Sequence, residues 1–302
     1  MKIPLLQLIK KTQSIHKISM EKFYDLAEIS RQGYIQALER QHQARIQWSA
    51  MKYLVLTYRK NKDHRAGSRS LFYNLNIKTK FKIGVNKFEQ ILSNNGLCLA
   101  PLRTKVVTTK SSLQSWNYSN LLNNLKVNGI NQVVVGDITY IYLNGQRFFL
   151  LCLTDIYSAR IVGHCISRNM RAIDAMEAAQ MWIKLRRPKN LIDCIHHTDG
   201  GGQYFSDLYL GMLKDLEAKV SRAITCLENG YAEQRNGLIK QHLLPLIDAV
   251  GTEVPRQQMK EVIKIYNHER KQKGLKWLSP VDYETYTSKI NPKPEIQLFD
   301  FK

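Results

Sequence analysis

The stretch Val133-Val134-Val135-Gly136-Asp137-Ile138-Thr139-Tyr140-Ile141-Tyr142 decides how the rest of the chain is read. β-Branched and aromatic residues in an unbroken run predict a strand over 132–141, buried on both faces. A carboxylate inside such a strand costs several kcal/mol unless it is paired or bound to a cation. Asp137 alternates with Val135 and Thr139 and so points to one face of the sheet. Taken alone it reads either as a hydrogen-bonded structural aspartate or as a ligand position.

The same texture continues downstream. Phe148 to Thr154 and Ile161 to Ser167 are two more runs, separated by Asn144-Gly145 and by Asp155 to Arg160, the spacing of a three-stranded antiparallel meander. An amphipathic helix is predicted over 172–185. The apolar run Asn190 to Ile195 then predicts a short buried strand that delivers Asp199 to a loop. That loop, in His196-His197-Thr198-Asp199-Gly200-Gly201-Gly202-Gln203-Tyr204, sets one carboxylate between two histidines and three glycines. A metal site, a phosphate-cradling loop and an ordinary turn all fit it. A helix over 205–216, a strand over 219–224 and helices over 229–244 and 256–271 follow. Three antiparallel strands, then alternating helix and strand, predict an α/β domain with a mixed five-stranded sheet.

On the helix predicted at 229–244, Asn229, Glu233, Asn236 and Lys240 fall at helical spacing and form a polar stripe. Such a stripe is commonly just a solvated face. The order of the carboxylates gives it weight: Asp137, Asp199 and Glu233 are 62 and 34 positions apart, one on the first strand, one after the fourth and one on a later helix. Glu228 competes with Glu233 for the third place.

Upstream of the sheet the chain is basic. Residues 1–120 hold 21 Lys plus Arg against 6 Asp plus Glu, a net of +15, of the +20 carried by all 302 residues. That imbalance points to a polyanionic partner, with nucleic acid foremost. Residues 1–58 read as a helical arm and 101–131 as a basic linker. Within 59–100 a basic turn, Arg59 to Gly67, precedes two helices, Ser68–Leu75 and Val85–Asn94, joined by a lysine-rich turn. The second buries Val85, Phe88, Ile91 and Leu92 and leaves Lys87 outward, which resembles a helix-turn-helix DNA-reading unit. A plain helical hairpin fits as well. Cys98, Cys152, Cys165, Cys194 and Cys226 show no CxxC spacing, so they imply buried thiols of a reducing compartment and no zinc site. With no apolar run of signal-peptide or membrane-span length, a cytoplasmic location is expected.

Five ordered motifs carry a family resemblance: DITYI at 137–141, TDIYSARIVG at 154–163, HTDGGGQY at 197–204, ENGYAEQRNGLIK at 228–240 and YNHERKQKGLKWLSP at 266–280. Preceded by the helical segment 68–99, they make the chain resemble the DDE transposase and retroviral-integrase superfamily. Within it the likeness is to bacterial insertion-sequence transposases of the OrfB type. The resemblance covers roughly 59–284, and departs from the common pattern where Lys271 and Gln272 replace Pro and His.

It implies an RNase H-like catalytic core over 132–286, with 287–302 as a C-terminal tail. It also implies Asp137, Asp199 and Glu233 as catalytic ligands of two divalent cations, Mg²⁺ or Mn²⁺, for phosphodiester cleavage and strand transfer. Lys240, Asn236, Gln203 and Lys87 are the expected DNA contacts, while His197 is expected to be a packed histidine. The implied partners are double-stranded DNA, as terminal inverted repeats and target, further copies of the chain on that DNA, and an OrfA product, in a bacterial, nucleoid-associated setting. Two rivals share the features: an RNase H-like nuclease without strand transfer, and a decayed transposase that only binds DNA.

Overall fold

The computed structural model describes residues 20–26, 28–100, 118–223, 226–247 and 253–298. The chain falls into two compact units, residues 1–57 and 58–302. Helix α1 (Met20–Leu26) and most of α2 (Arg31–Asn61) belong to the first, where the rings of Tyr24 and Tyr34 meet at 5.7 Å. The basic turn expected from Arg59 therefore begins only after Asn61, and Arg59 is structural. Its guanidinium donates to the carbonyls of Ala66 and Leu97, at 3.0 and 2.9 Å.

The second unit opens with three short helices where two were expected: α3 (Ser68–Asn74), α4 (Ile77–Phe81) and α5 (Val85–Asn94). The lysine-rich turn is itself helical because Asn76 and Lys82, both left-handed (φ 52° and 54°), bracket a single turn on which Ile77 is buried. On α5, Phe88 and Leu92 are buried and Lys87 is exposed, as its periodicity requires. This group docks on the C-terminal signature. Tyr73 stacks on Trp277 at 4.1 Å, and the Lys271 ammonium donates to the Tyr73 carbonyl and to Asn76 Oδ1 at 3.1 and 3.2 Å.

Residues 101–117 of the expected linker lie outside the described residues. The remainder is not slack: β1 (Lys126–Val127) is to pair with the C-terminal tail. The meander follows as β2 (Val133–Leu143), β3 (Gln146–Asp155) and β4 (Ile161–Ser167), with Asn144 and Gly145 both at positive φ in the tight turn. Helix α6 (Ala172–Arg186) leads to β5 (Ile195–Thr198). The fourth strand thus lies later than the apolar run predicted. Asn190 closes a 3₁₀ turn and Asp193 is left-handed (φ 61°), so Leu191 and Cys194 are buried in a turn rather than in a strand.

Helix α7 (Asp207–Asp215) and strand β6 (Lys219–Arg222) come next; Ile224, expected in that strand, lies outside the described residues. Helix α8 (Gly230–Leu238) gives way at Ile239–Leu243 to a π-helical turn, where continuous α-helix was expected. Helix α9 (Arg256–His268) ends short of Lys271, α10 (Pro280–Thr287) follows, and β7 (Ile296–Gln297) pairs antiparallel with β1. The tail is therefore tied back to the linker.

The five-stranded sheet has the order β4-β3-β2-β5-β6, with β2, β3 and β4 antiparallel and β5 and β6 parallel to β2 and to each other, an RNase H-like arrangement. One face packs Val134, Leu151 and Leu153 against Ala175, Ala178 and Trp182 of α6 and Tyr209 of α7. The other packs Ile141, Leu150 and Cys152 against Ile239 and Leu243 of the π turn and Met259 and Tyr266 of α9. Gly163 lets β4 meet α6 backbone to backbone: a Cβ there would lie 2.1 Å from the Ala178 carbonyl oxygen.

Two buried ion clusters lock the periphery. Asp155, fully buried at the end of β3, accepts from the Asn131, Tyr157 and Ser158 amides and from Arg186, which also pairs with Glu284 of α10; Arg160 joins Glu284 at 2.6 Å. Burial pushes Glu284 up, but Arg186 and Arg160 outweigh it and hold the carboxyl below its ordinary value. Asp63 accepts from Arg270 at 3.0 Å and from His242 at 2.7 Å, while the His64 amide donates to the His242 carbonyl. Arg186→Ala leaves the buried Asp155 without its arginine and Glu284 with Arg160 alone, so it is expected to cost roughly 3 to 5 kcal/mol in urea unfolding.

Candidate active site

Asp137 sits one residue beyond the last pairing of β2 with β5, Gly136 with Thr198. Gly136 is needed there: Thr198 Cγ2, Leu153 Cδ2 and the Tyr204 hydroxyl converge at 3.0 to 3.1 Å on the point its Cβ would occupy. Asp199 directly follows β5, so the sheet register alone brings it beside Asp137. Its Oδ1 accepts from the Gly201 amide at 3.3 Å. Arg222, level with Thr198 at the end of β6, lies against Gly200 and bears electrostatically on Asp199.

Helix α8 supplies the third side. Asn229 Nδ2, just before its first turn, donates to the Gly136 carbonyl at 3.1 Å and fixes the helix to β2. Asn236 Nδ2 donates to Asp137 Oδ2 at 2.7 Å. Among the described residues the buried Asn236 Oδ1 has no hydrogen-bond partner. The polar stripe is thus turned toward β2 at the buried Asn229 and Asn236, while Lys240 is half-buried and Glu233 is exposed.

The electrostatics follow from that crowding. Burial, and then the negative charge of Asp199, push Asp137 up to about 7 against a hydrogen bond from Asn236 that favours the charged form; Glu233 adds a smaller push. Asp199 is raised by burial, opposed by the Gly201 amide and Arg222, and Glu233 is raised by burial and by Asp199. Burial lowers the half-buried Lys240, and Asp137 opposes that shift. The charge of Glu228 acts on His197. Among the described residues no three His, Cys, Asp or Glu side chains stand close enough to hold one ion as they are.

Both histidines are framework. His196 is fully buried, and since Nδ1 must donate to the Val134 carbonyl, 3.1 Å away, Nε2 accepts from the Tyr209 hydroxyl at 3.0 Å. His197 Nδ1 lies 2.8 Å from Ser221 Oγ. Burial drops both rings to about 4, which keeps them neutral at pH 7. Gln203 uses its amide to hold the Met170 carbonyl at 2.9 Å, and Lys87 lies on exposed α5. Arg222 is not legible in the sequence, because only the β5–β6 register brings it to the site.

Residues 128–225 match the family model described as the integrase core domain. The chain is 30% identical over 175 residues to the transposase for insertion sequence element IS904 of Lactococcus lactis, covering 56% of this chain and 68% of that one. The chain belongs to the insertion-sequence transposase family. Transposase InsF for insertion sequence IS3A of Escherichia coli is 31% identical over 160 residues, 52% of this chain and 54% of that one, so the chain spans about half the length of that relative. Among solved structures, the HTLV-2 integrase catalytic core in complex with magnesium covers 55% of this transposase-family chain and 99% of its own, at 17% identity and TM-score 0.42. A chain of the simian T-cell lymphotropic virus intasome in complex with PP2A regulatory subunit B56 gamma covers 76% of this chain and 74% of its own, at 16% identity and TM-score 0.46. No described helix is long and apolar enough to cross a membrane.

A carboxyl whose pKa is raised on folding adds stability that is full below the unfolded value of 3.8 and is lost as pH climbs through the folded value of about 7. Asp137→Asn removes that liability. In cation-free buffer its stability advantage over the wild type is expected to grow between about pH 4 and pH 7 and to level off above, as read by urea unfolding across pH.

Proposed function

We propose that this chain is the catalytic part of a transposase that cleaves phosphodiester bonds at the ends of an insertion sequence and joins those ends to target DNA. One observation carries the reading: carboxylates from three separate elements crowd together, Asp199 and Glu233 pushing the Asp137 carboxyl up and Asp199 pushing Glu233 up, with no arginine paired to Asp137 among the described residues. A site that gathers like charge in this way is built for a cation.

The donor set fits divalent metal. Carboxylate oxygens, with the unpartnered Asn236 Oδ1 beside them, are hard ligands of the kind Mg²⁺ and Mn²⁺ take. Asp137, Asp199 and Glu233 would hold two such ions, which supply Lewis-acid activation of the attacking oxygen and stabilisation of the leaving 3′-oxygen. The chain's own residues do the rest. Asn236 fixes the orientation of Asp137 through its amide, and Asn229 keeps α8 in register with β2. Lys240, on the same face as Asn236, meets the phosphate at the cut. No serine, cysteine or tyrosine is required as a nucleophile, in keeping with thiols that burial holds protonated: Cys165 and Cys194 are pushed up to about 12.

Lys87 on exposed α5 and the basic residues before the sheet would hold the terminal repeats by their phosphates, with further copies of the chain on the same DNA, in the bacterial cytoplasm at the nucleoid.

Supercoiled plasmid at low salt with Mn²⁺ tests the reading. The wild type and Glu228→Gln are expected to nick it, and Asp137→Asn, Asp199→Asn and Glu233→Gln to lose nicking by a hundredfold or more. Nicking that survives Glu233→Gln but not Glu228→Gln would reassign the third carboxylate, and a strand-transfer assay separates a transposase from a plain nuclease. Lys240→Ala is expected to weaken DNA binding and to lower the slope of log affinity against log salt by about 1; an unchanged slope removes Lys240 from the interface.

A further inference from the structure

Strand β2 outruns its neighbour. Its pairing with β5 ends at Gly136, while its pairing with β3 continues to Leu143 opposite Gln146, so the β2–β3 hairpin projects beyond the site with one edge unpaired by β5. On the projecting part, Tyr140 is 56% and Tyr142 68% exposed. They share a face with their cross-strand partners, Tyr140 opposite Phe149 and Tyr142 opposite Arg147. The Tyr140 and Phe149 rings meet at 5.0 Å, and the Arg147 guanidinium lies 5.8 and 5.6 Å from their centroids.

The patch is positively charged and unopposed in sequence. Between Asp137 and Asp155 there is no Asp or Glu, so the Arg147 guanidinium is the charge beside the rings; Arg168 lies over Phe148, on the other face of the hairpin. Exposed rings with cations beside them form a surface suited to nucleic-acid bases: rings stack on bases of any sequence, and guanidinium meets phosphate. Spacing narrows the partner. Tyr140 and Tyr142 are two residues apart on an extended strand, about 6.6 Å, roughly twice the ~3.4 Å base rise of one B-form strand. Bases seated on both rings cannot remain stacked on each other.

We propose that Tyr140, Tyr142, Phe149 and Arg147 form a stacking platform for unpaired DNA bases adjoining the cleaved phosphate. Tyr140 is three residues from Asp137, about 10 Å along the strand, a reach of one or two nucleotides. Its side chain lies on the opposite face of β2 from that of Asp137, so the DNA strand would pass around the unpaired edge, from the carboxylates to the rings. The inference rests on the reading of the chain as a DNA-cutting enzyme and adds to it a preference for frayed or single-stranded flanks.

Full-length protein is titrated at low salt into a labelled duplex with a short single-stranded overhang carrying 2-aminopurine, and into the same duplex blunt. The wild type is expected to prefer the overhang and to quench the 2-aminopurine. Tyr140→Ala/Tyr142→Ala should weaken overhang binding about tenfold or more, abolish the quench and leave blunt-duplex affinity within about twofold. Tyr140→Phe/Tyr142→Phe should restore both. Should the double alanine variant misfold by circular dichroism, Tyr142→Ala and Arg147→Ala singly give the same reading. Equal loss on both duplexes, an unchanged quench, or a dimer that the alanines dissolve would overturn the platform, the last outcome making the patch a contact between copies. Mn²⁺-dependent nicking is followed alongside: nicking without overhang preference rejects the platform alone, and absence of both nicking and DNA binding rejects the proposed function with it.

Discussion

A carboxylate on the central strand of a sheet is the constraint around which this molecule is arranged. Asp137 can stand there only because β2 is gripped on every side: by β3 and β5 at its edges, by Asn229 at the carbonyl before it, and by Thr198, Leu153 and Tyr204 closing over Gly136. Each grip also places a functional group. The β5 pairing delivers Asp199, and the Asn229 contact sets the turn of α8 that presents Glu233, Asn236 and Lys240.

The contrast between this carboxylate and the others that are buried is informative. Asp155 and Glu284 share two arginines, and Asp63 has Arg270 and His242, so the scaffold neutralises its charge internally. Asp137 receives a neutral amide and the nearby charge of a half-buried lysine, and it is the carboxyl pushed up to about 7. Stability alone would favour an arginine there as well. Leaving the charge uncompensated is sensible if a cation is to complete the site, and the arginines paired with Asp155, Glu284 and Asp63 separate framework from chemistry. The Asp63 cluster holds the π-helical turn that contains Lys240, which joins the helices preceding the core to the end of the site helix.

Much of this was legible in the sequence because β-branched runs and Asn-Gly turns are local signals. The meander, α6, the mixed sheet and the inward face of α8 follow from periodicity, and the order of the three carboxylates carried the family resemblance. What periodicity misread has physical causes. In the run from Asn190 to Cys194 only Leu191 and Cys194 are buried and Ile192 is exposed; a left-handed Asp193 makes it a turn, which a short apolar run does not distinguish from a strand. The continuous helix expected over 229–244 widens into a π turn, where the His242 carbonyl takes a hydrogen bond from the distant His64 amide. The pairing of Lys126–Val127 with Ile296–Gln297 is long-range and only two residues long, too short for any alternation to announce it. Arg222 is likewise a product of register.

The most direct test of the central claim, that Asp137, Asp199 and Glu233 form one cation site, is anomalous diffraction from crystals of the full chain soaked with Mn²⁺. The account predicts manganese bound by oxygens of Asp137, Asp199 and Glu233. Manganese held instead by Glu228, or no manganese at these carboxylates while other sites on the protein fill, would contradict it.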